Sequence, residues 1–175
     1  MGNLLLEKVE YKIEETKFGI WQRYMYVNGT SFHEFKSHTI VFGLPLVHFT
    51  YGRCPETGRR RIAKGIIAVG RLACGFIAIG HVSLGLLAIG QLAIGIILGL
   101  GQLSSGLVAL GQGAIAAYLG IGQFVIGYAA IGQFALGKYV LAQMGLGEFV
   151  WSIRYADRQA VEFFRTLPVI QLFIP

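Results

Sequence analysis

The sequence predicts an all-β protein whose middle, residues 65–147, is a β-solenoid (parallel β-helix) of glycine-punctuated pentads. Three observations carry this. Glycine recurs at 65, 70, 75, 80, 85, 90 and 95, then at 101, 106 and 111, then at 122, 127, 132 and 137, with Gly147 closing the series and Ala116 and Ala142 in the two skipped positions. A five-residue period advances a helix by about 500° per unit, so the glycines would wind around every side and select no helical face. Finally, Arg71 and Lys138 are the only Lys, Arg, Asp or Glu between Gly65 and Gly147, which leaves no polar loops to separate helices.

The competing reading is a set of apolar membrane helices. Each 20-residue span would then carry about four glycines at ~0.8–1.0 kcal/mol apiece relative to alanine. Strands fit the number five better. Side chains alternate with period two along a strand, five is odd, and glycine supplies the bend that resets the alternation.

The N-terminal region, residues 1–64, reads as a β-rich cap. Val9, Tyr11 and Ile13 alternate with Glu10, Lys12 and Glu14; the stretch from Trp21 to Val27 leads into an Asn28-Gly29 turn, and Phe32 and Phe35 follow. Leu44 to Tyr51, a Pro55-Glu56-Thr57-Gly58 turn and Arg60 to Lys64 predict a further hairpin that feeds the repeat and covers its first edge.

The repeat unit is roughly Gly-x-Leu-Ala-Ile, as in Gly90-Gln91-Leu92-Ala93-Ile94, and the steps 95 to 101 and 116 to 122 are each one residue longer. The position after glycine alternates. Arg71, His81, Gln91, Gln102, Gln112, Gln123, Gln133 and Gln143 form a polar series; Ile66, Phe76, Leu86, Ile96, Leu107, Ala117, Tyr128 and Lys138 fill the other. The true period is therefore ten. A ten-residue coil stacks the polar series on one line, where amides can form a ladder; a twenty-residue coil splits it between two faces. About eight ten-residue coils would rise ~38 Å, and about four twenty-residue coils ~19 Å.

Gly70-Arg71-Leu72 and Gly132-Gln133-Phe134 resemble the units of pentapeptide-repeat proteins, in which a small residue stands two places before a large inward one, although the Asp or Asn common between them is missing. Ala78-Ile79-Gly80 and Ala88-Ile89-Gly90 are similar to the ten-residue coils of tight insect antifreeze solenoids, with alanine where those place cysteine. Both resemblances imply architecture alone. Residues 65–147 lack the threonine face that antifreeze activity needs, having no Thr and only Tyr118, Tyr128 and Tyr139, and they lack the acids needed to mimic nucleic acid.

Residues 148–175 read as a second cap. Asp157 is placed to N-cap a short helix running to Arg165, with Ala160, Val161 and Phe164 toward the repeat and Pro168 beyond its end. The tail Val169 to Ile174 is too short to span a bilayer.

Composition narrows the function classes. The chain is 54% hydrophobic and 14% charged, with a mean hydropathy of +0.60, so a membrane or a large partner surface is the expected environment. The net charge of +6 is concentrated before the repeat in Arg53, Arg59, Arg60, Arg61 and Lys64, which suit anionic lipid headgroups or a solvated hairpin tip. Nucleic acid is disfavoured because no recognition motif accompanies the charge.

MGNLLLEKVE has no secretory core, Leu6 breaks the myristoylation pattern at Gly2, and Asn28-Gly29-Thr30 reads as a turn rather than a glycosylation site, so the expected location is the cytoplasmic face of a membrane or within it. Cys54 and Cys74 make no paired motif, and Cys74 fills a position held elsewhere by Ile or Leu. The spacing of His33, His38, His48 and Cys54 matches no tetrahedral metal site, no phosphate loop stands out, and Glu7, Glu10, Glu14, Glu15 and Glu34 read as solvated strand faces. No cofactor and no catalytic set is expected, unless His33, His48 and Arg53 share a pocket. The expected activity is that of a non-enzymatic structural or interaction module, membrane-bound through apolar rows, or alternatively a soluble self-associating scaffold.

Overall fold

A computed structural model describes residues 9–167 of the chain. The N-terminal residues 1–8 and the tail from Pro168, including Val169 to Ile174, lie outside the described residues. The chain divides into two compact units, residues 1–91 and residues 92–175, with the division inside the repeat. Among the described residues it is mostly β, with one short helix near the C-terminus.

Unit 1 opens with β1 (Lys12–Thr16), β2 (Gly19–Met25) and β3 (Ser31–Ser37), which pair antiparallel in sequence. The Asn28-Gly29 signal marks the β2–β3 turn. Asn28 Oδ1 accepts from the Thr30 amide at 3.1 Å, and Gly29 takes φ +80°, a conformation that costs a residue without Cβ little. The alternation places Trp21 beside Phe35 with ring centroids 4.9 Å apart, and Phe49 of β6 (Val47–Tyr51) joins them at 6.0 Å from Trp21. Between β3 and β6 the short β4 (Ile40–Val41) and β5 (Leu44–Pro45) form their own two-stranded ribbon.

From β6 onward the sheet changes sense. β6 pairs antiparallel with β3 but parallel with β7 (Ala63–Gly70), in the register Val47↔Ile67 and Phe49↔Val69. The hairpin expected across the Pro55–Gly58 turn is therefore replaced by a parallel connection. The turn itself is present, closed by Gly58 N–H to the Cys54 carbonyl and Cys54 N–H to the Arg59 carbonyl, both 2.8 Å. It returns the chain to the level at which β6 began, as a parallel neighbour requires.

β8 (Leu72–Trp151) is a continuous run of extended backbone that begins in unit 1. It starts parallel to β7 with a ten-residue offset: Ala63↔Ala73, Gly65↔Gly75, Ala68↔Ala78 and Val69↔Ile79. The same offset continues in the hydrogen bond from His81 N–H to the Arg71 carbonyl at 3.1 Å. Twenty-residue pairing is absent from this stretch, and the buried line consists of Ala63, Ala68, Ala73, Ala78 and Ala88 with Ser83.

In unit 2 the remainder of β8 buries a row of small residues from both alternating kinds of pentad: Ala109, Ala114, Ala116, Val125, Ala130, Ala135, Val140 and Ala142. The pentapeptide resemblance implied an inward Phe134, but Phe134 is 43% exposed and Ala135 only 6%. At the glycines the backbones ten or eleven residues apart touch: a Cβ built on Gly111, Gly122 or Gly137 would overlap the carbonyl oxygen of Gly101, Gly111 or Gly127 respectively.

After Trp151 the chain reverses through residues 152–157, with a bridge from Trp151 to Ala156, and enters α1 (Arg158–Thr166). Asp157 caps the helix, its carboxylate accepting from Gln159 N–H at 2.9 Å, as its type and position predict. Ala160 and Phe164 are fully buried.

Candidate functional site

The two alternating kinds of pentad in unit 2 have different fates. Those without glutamine lie under α1. Leu119 and Ala129, flanked by Ile121, Ile131, Leu141 and Phe149, pack against Ala160, Phe164 and Leu167. Tyr139 stacks on Phe163 with ring centroids 4.0 Å apart and planes 12° from parallel. The apolar stripe of the helix covers Leu119 and Ala129, while Leu107, Tyr118 and Tyr128 on the same kind of pentad stay exposed.

The glutamine pentads are uncovered. Strand alternation turns their fourth residue inward and its two neighbours outward, which raises two apolar ridges. One is Leu103, Phe124, Phe134 and Met144; the other is Ile115, Ile126, Leu136 and Leu146, all between 43% and 73% exposed. Between the ridges lies an open groove of about 1130 Å³, floored by Ala114, Val125, Ala135 and Gly145. The Phe124 and Phe134 rings stack at 5.2 Å with planes 7° apart, which makes their ridge flat. The groove reaches Ser152, Ile153 and Arg154 in the reversal before α1. Arg154 is the only charged residue lining it, and its side chain has no ion pair among the described residues.

Every member of the predicted polar series is exposed: Arg71, His81 and Gln91 in unit 1, and Gln102, Gln112, Gln123, Gln133 and Gln143 in unit 2. Successive glutamines share no side-chain hydrogen bond among the described residues, so their amides face outward beside the groove, where water can satisfy them. Of the basic residues before the repeat, Arg53, Arg59, Arg60 and Lys64 are exposed. Arg61 is engaged elsewhere. Its guanidinium pairs with Glu34, and with Glu56 at 3.1 Å, and lies 5.7 Å over the Phe32 ring.

His33, His48 and Arg53 are not brought into one pocket. His33 Nε2 meets Ser31 Oγ at 3.0 Å, while the Arg53 carbonyl accepts from the Tyr26 hydroxyl at 2.9 Å. His48 is buried, and its Nδ1 accepts from Lys64 N–H at 2.8 Å, which leaves Nε2–H to donate to Glu34 at 3.0 Å. Among the described residues no group of three His, Cys, Asp or Glu side chains is arranged to hold a metal ion.

Glu34 corrects the reading of that residue as solvated. It is 2% exposed and is met by His48, by Arg61 and by Lys36 Nζ at 3.1 Å. Burial alone would raise its pKa, but the hydrogen bonds from His48 and Lys36 and the charges of Lys36 and Arg61 outweigh it and hold the carboxyl at about 2. A carboxylate so fixed is a poor proton shuttle at neutral pH. The signal was present in the sequence: Glu34 shares the strand parity of Phe32, which is fully buried, whereas Phe35 lies on the opposite face.

Cys54 is fully buried, its thiol 3.8 Å from the Tyr11 hydroxyl. Burial pushes the thiol pKa up, but backbone hydrogen bonds from Thr57 and Glu56, with Thr57 and Tyr11 side chains, bring it below the usual value. No helix among the described residues is long and apolar enough to cross a membrane.

Comparisons with protein-family models, curated proteins and solved structures gave no match to this chain.

Proposed function

We propose that residues 65–147 form a β-solenoid with a ten-residue coil, and that the protein is a non-catalytic structural module held at a membrane by the apolar exterior of that solenoid. The observation that carries this reading is the outward direction of the large side chains. In an ordinary globular domain Ile, Leu and Phe fill the core; beneath the glutamine pentads of unit 2 Ala and Val do, and the large residues form ordered external rows with almost no charge among them. Contiguous apolar patches of this kind mark interaction surfaces.

The ten-residue register of β7 with β8 and the recurrent glycine-to-glycine contacts in each unit support the coil. Parallel pairing of successive coils satisfies the backbone internally, which membrane contact demands. Arg53, Arg59, Arg60 and Lys64 supply charge suited to anionic headgroups, at about 1 kcal/mol each.

The same rows would also suit a soluble scaffold that stacks on itself, and one experiment separates the two. Full-length protein is purified with and without detergent and floated with vesicles of mixed phosphatidylcholine and phosphatidylglycerol. Recovery with the vesicles, and β-type circular dichroism there, is the expected result. A detergent-free soluble oligomer that ignores vesicles would overturn the membrane reading in favour of the scaffold.

A further inference from the structure

We infer that the groove on the glutamine face of unit 2 is a seat for the acyl chain of an anionic phospholipid, with Arg154 as the contact for its headgroup phosphate. The inference rests on the membrane reading above and deepens it by assigning lipid contact to one face.

Three features of the groove specify such an occupant. Its two ridges are hydrocarbon and aromatic, from Leu103 and Ile115 at one end to Met144 and Leu146 at the other, and its polar lining, Gln143, Ser152 and Arg154, gathers at the second end. The residues that line the rows arise on strands about 4.8 Å apart, so five rows make a trough about 19 Å long, more than half of a ~30 Å hydrocarbon core. Its floor of Ala114, Val125, Ala135 and Gly145 is low between the two ridges, which leaves a channel where a chain can lie instead of a plane.

Charge then fixes the kind of lipid. Arg154 is exposed at the end of the trough beside Met144, Gly145 and Leu146, and no described acid pairs with it. An amphiphile with its tail along the ridges and a phosphate at this guanidinium would satisfy both ends of the site, and Arg forms paired hydrogen bonds to phosphate readily. By contrast α1 packs over Leu119 and Ala129 on the opposite face of unit 2, so the groove on the glutamine side is not the helix's seat.

The test uses full-length protein and vesicles of phosphatidylcholine alone or mixed with phosphatidylglycerol, some carrying brominated acyl chains. Phe134→Trp places a fluorescent reporter on the ridge, and bromine should quench it. Phe134→Glu should weaken vesicle binding more than tenfold while leaving the circular dichroism spectrum in place, because the side chain is already 43% exposed. Arg154→Gln should weaken binding to the anionic vesicles about fivefold and leave binding to phosphatidylcholine unchanged.

Wild-type protein that binds neither vesicle would refute the membrane reading itself. Vesicle binding that survives Phe134→Glu, with no quenching of the reporter, would keep that reading and overturn this assignment. Leu136→Gln provides a second ridge variant should Phe134→Glu fail to fold. Light scattering that shows a dimer disrupted by Phe134→Glu in the absence of lipid would instead seat a second copy on the face and overturn the lipid assignment.

Discussion

The antiparallel sheet of unit 1 and the repeat of unit 2 bury themselves by opposite means. In β1–β3 and β6 the buried positions belong to particular side chains: Phe32, and a glutamate held by a histidine, an arginine and a lysine. In the repeat of unit 2, away from α1, the buried positions belong to Ala and Val, and the large residues of the glutamine pentads stand outside. The first region stores its specificity in chemical identity, the second in spacing. Mutational sensitivity should follow that division, so that in unit 2 the smallest residues matter most.

The strongest way to break the comparison is at a glycine. Gly137→Ala adds a single methyl group where the Gly127 carbonyl oxygen already stands, and the adjacent backbones must separate. The expected loss exceeds about 4–5 kcal/mol, the range reserved for severe backbone or core disruption. Chemical denaturation of the variant would measure it, and a loss below 1 kcal/mol would show that the repeat backbones are not held at contact distance.

A step down in size, Phe164→Ala should cost about 3–5 kcal/mol, because the ring is fully buried under α1. The corresponding truncation on the open face, Phe134→Ala, should cost less than about 1 kcal/mol by the transfer scale for a half-exposed side chain. Thermal melts of the pair would reveal the asymmetry between covered and open faces; equal losses would mean that the glutamine face is also packed in solution.

A further test concerns unit 1 and is read with acid. Glu34 is depressed from 4.5 to about 2 by its partners, so its contribution to stability is fully present above the unfolded value near 4.5 and disappears as pH falls through 2. The contribution is about 3 kcal/mol at most. Wild-type protein should therefore lose stability more steeply than Glu34→Gln between pH 4.5 and 2, while parallel profiles would mean that the buried carboxylate is not stabilised by its neighbours.

How much of this could be read from the residues follows the same division. Spacing survives in a sequence, so the β character of the repeat, its ten-residue period and the Asp157-capped helix were all legible. The Asn28-Gly29 turn was legible too, because its residues have few other uses. What escaped depended on where side chains point. The pentapeptide resemblance implies an inward Phe134, yet Ala135 beside it takes that place and Phe134 stands outward. Glu34 reads as a surface residue, although its strand parity is that of the buried Phe32 and not of Phe35. The parallel sense of β7 was also hidden. A turn signal between two strand-like stretches reads as a hairpin, and the ten-residue offset of the later repeat gives no warning, because Val47 pairs with Ile67 twenty residues on.

The offset that pairs Ala63 with Ala73 and Gly65 with Gly75 also sets how such a chain can grow or shrink. Two pentads are its smallest inheritable module. In the ten-residue coil proposed above, an in-frame duplication of thirty nucleotides inserts one more rung and leaves each side chain on its original face. One of fifteen nucleotides brings the glutamine pentads downstream of it into line with the non-glutamine pentads upstream, so that neither face runs unbroken past the insertion. The fold thus tolerates changes of length in one step size and rejects half that step, a constraint written in the register and independent of which apolar residue occupies any row.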